Sequence, residues 1–197
     1  MKDRTQAELA LQRDIAACTH CAEHLPAGPR PVVRFSSSAR ILIIGQAPGS
    51  KVHASGVPWD DNSGERLREW TGIARADFYD AAKVALMPMG FCYPGKGKSG
   101  DLPPRPECAP LWHEAILKFL PKQRLTLLVG SYAQAYYLSE YGKLSLTEKV
   151  EAFETFLPTH FPLPHPSWRS TIWLKQNPWF ERDALPALRA KVSEALA

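Results

Sequence analysis

RILIIGQAPG, residues 40–49, joins an unbroken run of aliphatic residues to a glycine-rich turn. A short apolar run of this kind, ended by glycine, is typical of a strand that is buried on both faces of a parallel sheet. The polar residues that follow, in SKVHASGVPWDDNSG (50–64), are not needed to fill a core. Because open parallel sheets bind ligands at the carboxyl ends of their strands, we expect this turn to lie in a functional site.

Three more runs predict strands. AAKVALMPMG (81–90) and RLTLLVG (124–130) have the same apolar character, whereas the prolines of FETFLPTHFPLPHPS (153–167) allow only a short or edge strand. Helical patterns cover residues 5–17, 63–73, 110–120, 131–142 and 177–196. Strands that alternate with helices predict an α/β fold, a three-layer sandwich with a central, mostly parallel four-stranded sheet flanked by helices.

Two of the predicted helices carry capping signals. Gly142 is suited to a C-cap at the end of the helix that begins at residue 131. Asn177 is suited to the N-cap of the last helix, with Pro178 in the first turn of that helix.

The composition is that of a globular protein with a mild basic excess. Hydrophobic residues make up 45% of the 197 residues and charged residues 22%, and no apolar run approaches the ~18 residues of a membrane helix. The first residues are charged and helical in pattern and carry no secretory signal, so we expect one cytoplasmic domain, residues 1–197, that works as a monomer. The net charge of +4 suits an anionic partner such as nucleic acid.

The four cysteines fall into two pairs. Cys18 and Cys21 form a C-x2-C motif, while Cys92 and Cys108 flank a basic loop rich in glycine and proline, YPGKGKSGDLPPRPE (93–107). In a cytosolic chain this usage favours a metal site over disulfides, and four thiolates can hold a 4Fe–4S cluster or a zinc ion. The wide spacing of the second pair is unlike a common zinc ribbon and favours the cluster. The alternative is that Cys18 and Cys21 are neighbours by chance, while Cys92 and Cys108 are small buried hydrophobic residues.

Six motifs follow one another along the chain. They read CTHC (18–21), GQAPG (45–49), GVPW (56–59), Cys92 with PPRPEC (103–108), VGSYA (129–133) and HPSWR (165–169). The ordered set resembles the uracil-DNA glycosylase superfamily, and its cysteine plan resembles the family-four, iron–sulfur branch. The resemblance implies that fold, a 4Fe–4S cluster on the four cysteines, and DNA as the partner, and it leaves open whether single-stranded DNA is preferred.

The resemblance also implies roles at the base. His165 would donate a hydrogen bond to the base oxygen as negative charge grows there, and Trp59 would stack on a base flipped out of the DNA. The tight turn at Ala47 and Gly49 would let backbone amides approach that base.

Contacts with the DNA backbone are implied as well. Ser167 and Arg169 would contact phosphate, and Trp168 or Ile172 would enter the gap that the flipped base leaves. A second phosphate contact would come from the basic loop, through Lys96, Lys98 and Arg105.

One departure from the family-four pattern concerns water activation. Gln46 stands where that branch has a glutamate, and an amide cannot accept a proton from water as a carboxylate does. The base would then be His53, Asp60 or Asp61 in the same loop region. Alternatively the reaction is strongly dissociative, and Gln46 only holds the water.

A second departure concerns the choice of base. The family-four branch recognises uracil through an asparagine, and Met87 or Pro88 stands at that place. Neither side chain makes the paired amide contact that separates uracil from cytosine. Asn62 could supply an amide from another direction, and the identity of the base stays open.

The sequence supports functions of different classes. The leading hypothesis is a DNA repair glycosylase that hydrolyses the N-glycosidic bond of uracil or another deaminated or damaged base. The alternative is a nucleic-acid-binding iron–sulfur protein that no longer cuts, and a third hypothesis is a small electron carrier. A mononucleotide site is disfavoured, because GQAPG is neither the G-x-G-x-x-G turn nor a P-loop.

Overall fold

The computed structural model describes residues 2–197, with side chains from residue 4 onward. Its helices are α1 (Lys2–Ala16), α2 (Ser50–Ser55), α3 (Asn62–Thr71), α4 (Arg75–Phe78), α5 (Cys108–Phe119), α6 (Ser131–Tyr137), α7 (Leu146–Glu151), α8 (Ser170–Gln176) and α9 (Leu185–Leu196). Its strands are β1 (Ile41–Ile44), β2 (Val84–Leu86), β3 (Lys96–Gly97), β4 (Gly100–Asp101), β5 (Leu125–Val129) and β6 (His160–Leu163). Short 3₁₀ turns cover Ala22–His24, Ser139–Tyr141 and Phe153–Phe156, and a π-helical turn, Phe180–Ala184, precedes α9.

Four strands form a central sheet in the order β2-β1-β5-β6. Every pairing in this sheet is parallel, and Ile41 at the start of β1 lies opposite Val84 on one side and Leu125 on the other. β6 lies at an edge, as its prolines predict, and Pro162 within it has no N–H to donate. The carboxyl ends of all four strands therefore meet at one edge of the sheet, with β5 between β1 and β6.

Helices cover both faces of the sheet, which confirms the predicted three-layer sandwich. Ile41 and Ile43 of β1 pack in a core formed with α3, α4, α7 and α9. Leu42 and Ile44 face the other way and pack in a core formed with α1, α5 and α6. All four side chains are fully buried, because alternate residues of a strand point to opposite faces and both faces are covered.

Both capping predictions are wrong. α6 ends at Tyr137, and Gly142 follows a separate 3₁₀ turn with a φ of −60°, which is not the left-handed conformation of a glycine cap. The side-chain amide of Asn177 donates to the carbonyl of Trp173 at 2.8 Å and so closes the end of α8 rather than the start of the last helix. Pro178 lies in the turn that follows, before the π-helical segment. In each case a short helical segment that periodicity did not reveal changes the place of the capping residue.

Several short elements had no sequence signal. Helices α2, α4, α7 and α8 are seven residues long or shorter, and the antiparallel hairpin β3–β4 has two residues in each strand. Elements of this length are too short to show a period in the hydrophobic pattern. Among residues 2–197, no helix combines the length and the apolar character that crossing a membrane requires.

Candidate active site

A cavity of about 460 Å³ opens at the carboxyl ends of the sheet strands. The turn after β1 supplies Gln46, Ala47 and Gly49 to its lining, and the segment after β6 supplies His165 and Ser167. Parallel pairing explains this meeting, since it brings the ends of β1 and β6 to the same edge of the sheet. The volume lies within the ~300–1,000 Å³ range of small-molecule sites.

His165 is half-buried in the wall of this cavity. Burial lowers the pKa of its imidazole below the ordinary value, and the carboxylate of Asp61 opposes this with a smaller upward effect. The backbone carbonyl of His165 accepts a hydrogen bond from the hydroxyl of Ser170 at the start of α8. The ring is therefore neutral at neutral pH, with one N–H to donate.

The indole of Trp59 lies beside His165, with the ring centroids 5.9 Å apart and the planes inclined by 30°. Trp59 has a φ of 57°, in the left-handed region that a large side chain rarely adopts. Two glycines make room for it. A Cβ at Gly45 would lie 2.6 Å from the indole, and a Cβ at Gly64 would overlap the carbonyl oxygen of Trp59.

The backbone of Trp59 is also held by polar contacts. The hydroxyl of Tyr79 donates to the Trp59 carbonyl at 3.2 Å, and the guanidinium of Arg68 reaches the same oxygen at 3.4 Å. Arg68 donates to the Tyr79 hydroxyl as well, at 3.2 Å. A costly backbone conformation persists only where its surroundings enforce it, and here they fix an aromatic wall of the cavity.

Of the two adjacent aspartates, Asp61 lines the cavity and Asp60 does not. One carboxylate oxygen of Asp61, Oδ1, accepts the backbone N–H of Gly64 at 2.8 Å, so that Asp61 is the N-cap of α3. A carboxylate has two acceptor oxygens, which leaves Oδ2 for a partner in the cavity. Asp60 instead pairs with Arg75, at 3.6 Å.

Two other predicted site residues, His53 and Asn62, are also absent from the cavity lining. The ring of His53 lies against Tyr93, with centroids 5.9 Å apart, and Val52 lines the cavity in its place. Asn62 is exposed at the start of α3. Successive residues of a helix point in directions about 100° apart, so a difference of one position decides which side chain faces the cavity.

Pro88 lines the cavity, while Met87 is fully buried in the core beside the sheet. The Pro88 carbonyl accepts a hydrogen bond from Nε2 of His113 at 3.0 Å, and Nδ1 of His113 lies 2.7 Å from the hydroxyl of Tyr137. Burial lowers the pKa of His113 to about 4, so the neutral ring donates to Pro88 and accepts from Tyr137. This wall of the cavity is therefore apolar, because the proline has no N–H and its carbonyl is engaged from behind.

The hairpin β3–β4 forms another side of the cavity, which Gly100 and Asp101 line. Sequence analysis missed Asp101, and a strand of two residues leaves no pattern from which it could be found. The guanidinium of Arg169 donates to the carbonyl of Ser99 at the tip of the hairpin. The segment that carries His165 and the basic hairpin are thereby joined.

The basic residues of the loop have different surroundings. Lys96 and Lys98 are exposed on the hairpin. Arg105 pairs with Glu107 at 2.5 Å and lies beside the thiol of Cys21. The predicted phosphate contact is therefore open to the two lysines, whereas Arg105 is already engaged by a carboxylate.

Two large apolar side chains are exposed in the part of the chain that follows β6. Trp168 is 76% exposed and lines the mouth of the cavity, and Ile172 is 69% exposed on α8. The guanidinium of Arg169 lies 5.6 Å from the centroid of the Trp168 ring. An exposed aromatic group and a cation therefore lie next to the cavity, and their contact with DNA stays a prediction.

The four cysteines line a second, small cavity of about 20 Å³. They are half-buried and form no disulfide. The pKa of Cys108 is raised to about 12, chiefly by burial, with smaller upward effects from Cys92, Cys21 and Cys18 and an opposing effect from the backbone N–H of Phe91. Among the described residues, no three histidine, cysteine or acidic side chains are arranged to hold one metal ion. The fold thus brings the two pairs to one place.

Residues 33–189 match the uracil DNA glycosylase superfamily. The chain belongs to this superfamily. The matched residues include all four strands of the central sheet and both segments that face each other across the main cavity. Cys18 and Cys21 lie before them. Membership of the superfamily supports a DNA glycosylase-like hydrolase that acts on DNA.

Proposed function

We propose that the protein is a DNA repair glycosylase that removes uracil or another deaminated or damaged base, flipped out of DNA, in base excision repair. The observation that carries this proposal is the convergence of Gln46, Asp61 and His165 on one cavity, beside the indole of Trp59. A neutral donor, an amide, a carboxylate and an aromatic face can together hold a base, position a water and stabilise the charge that develops as the glycosidic bond breaks.

In the proposed reaction the bond between C1′ of the sugar and the base nitrogen breaks, and its electron pair leaves with the base. The N–H of His165 donates to the base oxygen on which negative charge develops. Gln46 orients a water whose oxygen bonds to C1′, and Asp61 accepts the proton that this water loses. Asp61 then gives this proton to the departing base, so the products are a free base and an abasic sugar.

We propose that base selection relies on shape and on acceptor groups. The wall at Pro88 offers no polar group to the base, since its carbonyl is bonded to His113. Asp101 offers a carboxylate acceptor, which suits an N–H group of a deaminated base. More than one such base should therefore be accepted.

The second candidate is a nucleic-acid-binding protein that holds a base without cutting it. Gln46 in place of an acid and Pro88 in place of an amide favour it. It uses the same cavity and the same DNA-facing residues, so the two candidates differ only in whether base is released.

Base release from labelled oligonucleotides tests the proposal. We expect abasic sites on strands that carry one uracil, hypoxanthine or xanthine, detected by alkaline cleavage. His165→Ala should lower the rate by about 10²- to 10³-fold, the usual cost of losing one transition-state donor. His24→Ala, an exposed histidine outside the main cavity, is the matched control. Tight binding with no abasic site on any of these strands would establish the second candidate instead.

We propose that Cys18, Cys21, Cys92 and Cys108 hold a 4Fe–4S cluster. A zinc ion would draw four sulfurs to ~2.3 Å from one centre, whereas each iron of a cluster takes its own thiolate. The four thiols line one cavity, which supports a group that all four share, and the wide sequence spacing of Cys92 and Cys108, unlike that of a zinc ribbon, favours the cluster over zinc. The cluster would tie the end of α1 and the start of α5 to the loop that carries the hairpin.

Anaerobic purification tests the cluster. We expect brown protein that contains iron and acid-labile sulfide, and loss of both in Cys108→Ser. His20→Ala is the control, because His20 lines the same cavity without supplying a thiol. Stoichiometric zinc without iron would show that the four cysteines bind zinc instead of a cluster. The absence of both metals would show that they are four structural thiols.

A further inference from the structure

A third cavity, of about 280 Å³, adjoins the main cavity at the ends of β5 and β6, and we call it the side cavity. Gln46, His165, Ser167 and Arg169 line both cavities. The remaining walls of the side cavity come from the end of β5, the start of α6, Leu146 of α7, and α8. The two cavities are therefore neighbours, separated by the side chains proposed to act on the glycosidic bond.

The lining of the side cavity suits a nucleotide. Tyr132 is 39% exposed and presents an aromatic ring, and Ser131 and Ser167 add hydroxyl groups. Trp173 forms a further aromatic wall, with its indole fixed by a 2.8 Å hydrogen bond to Thr147. Aromatic faces, together with a cation such as Arg169, are the features with which proteins hold single-stranded nucleic acid.

The position of the side cavity selects one occupant. Gln46 and His165 line both cavities, so we take the strand whose base enters the main cavity to run over these two residues, which brings its next nucleotide to the side cavity. In a duplex that neighbour stays stacked, about 3.4 Å along the axis, and its base points into the helix. In a single strand the neighbour is free to unstack and turn outward.

We propose that the side cavity binds the base next to the one that is removed, and that the protein therefore acts preferentially on unpaired DNA. The inference rests on the proposed function, because it takes the main cavity as the site of the flipped base. It adds a second base-binding site whose occupant is available only in a single strand.

Tyr132 and Tyr136 give a matched pair of variants. Both tyrosines are on α6 and exposed to a similar extent, 39% and 46%, but Tyr136 packs beside Tyr137, outside both cavities. Affinities would be measured by fluorescence anisotropy for one oligonucleotide, as a single strand and as a duplex. Tyr132→Ala should weaken single-strand binding by about 5- to 100-fold, the effect of losing one stacked base, and leave duplex binding unchanged. Tyr136→Ala should change neither affinity.

A second measurement removes the ligand group instead of the side chain. Single strands with an abasic spacer next to the target base, on one side or the other, should bind wild-type protein as weakly as the intact strand binds Tyr132→Ala. With that spacer, Tyr132→Ala should cause no further loss, since the two changes remove the same contact. Equal effects of Tyr132→Ala on single strand and duplex, or no effect on either, would overturn the proposal.

The outcomes for the two proposals are distinguishable. If abasic sites form on every strand at a rate that does not depend on Tyr132, the glycosylase proposal stands and the proposal of a base-binding side cavity fails. If single-strand binding depends on Tyr132 but no strand acquires an abasic site, the side-cavity proposal stands and the glycosylase proposal fails.

Discussion

The carboxylate of Asp61 influences the pKa of His165, and this influence should be visible in the pH dependence of the rate of base release. Burial lowers the His165 pKa and Asp61 partly opposes this, so the donor stays neutral from pH 7 down to below the ordinary value of about 6.5. We expect the rate of base release to be flat over that range and to fall as pH drops through the lowered pKa. Asp61→Asn removes the negative charge that raises the His165 pKa, so the fall in rate at acidic pH should begin at a lower pH than in the wild type. A pH–rate profile of both proteins measures the shift.

The same variant separates charge from structure. Asparagine is as good an N-cap as aspartate, so Asp61→Asn should keep α3 and its thermal stability. The rate at pH 7 should fall by about 10²-fold or more, the range for loss of a general base. Asp60→Asn, which alters the neighbouring acid outside the cavity, is the comparison. An equal loss in both variants would remove Asp61 from the reaction.

Gly64 tests how Trp59 is held. Gly64→Ala should lower the free energy of unfolding by about 1–3 kcal/mol, because the added Cβ overlaps the Trp59 carbonyl and forces the backbone to move. Gly49→Ala should cost little stability, since its Cβ would meet only the carboxylate of Asp101, at an ordinary 3.4 Å. Urea unfolding of both proteins measures the difference. Similar free energies for both variants would show that the turn at Trp59 adapts.

At the scale of elements, His113 joins α5 to the wall at Pro88 and to α6 through Tyr137. Its pKa of about 4 in the folded protein lies below the ordinary 6.5 of the unfolded chain, so the folded state binds fewer protons between these values. The resulting stabilisation is complete above about pH 6.5 and is lost as pH falls toward 4, by up to about 3 kcal/mol.

A glutamine at this position should remove that loss. His113→Gln cannot charge, so its free energy of unfolding, although lower at pH 7, should fall less between pH 7 and pH 4 than that of the wild type. His20→Gln, at an exposed histidine, should follow the wild-type curve. Parallel curves for His113→Gln and the wild type would show that His113 is not the group that titrates.

The elements also show where sequence patterns were sufficient. Apolar runs predicted the four strands of the sheet, since a buried strand is defined by its own residues. The caps at Gly142 and Asn177 were wrong, because a cap depends on where the neighbouring helix begins or ends. Asn177 lies at the end of the short helix α8, and a helix of seven residues is too short to show a hydrophobic period in the sequence.

At the scale of the whole molecule, the charge around the main cavity should govern DNA affinity. Lys96 and Lys98 are exposed on the hairpin at the cavity, and the protein carries a net charge of +4. Neutralising either lysine should weaken binding for every sequence and reduce the slope of log affinity against log salt by about 0.7–0.9. Lys118→Ala, on α5 and paired with Glu114, should leave the slope unchanged. Binding titrations at several salt concentrations measure the slopes, and equal slopes in all three variants would remove the hairpin from the interface.

The sequence by itself determined the parallel sheet, the turn after its first strand and the ordered motifs of the superfamily. These features are local, because the residue types at neighbouring positions in the sequence determine a buried strand and a glycine turn. The tertiary structure alone decided that Asp61 rather than Asp60 faces the cavity, that Asp101 joins it from the hairpin, and that a side cavity lies beyond His165. The direction of a loop side chain and the shape of a void depend on elements packed from distant parts of the chain, and no local pattern records them.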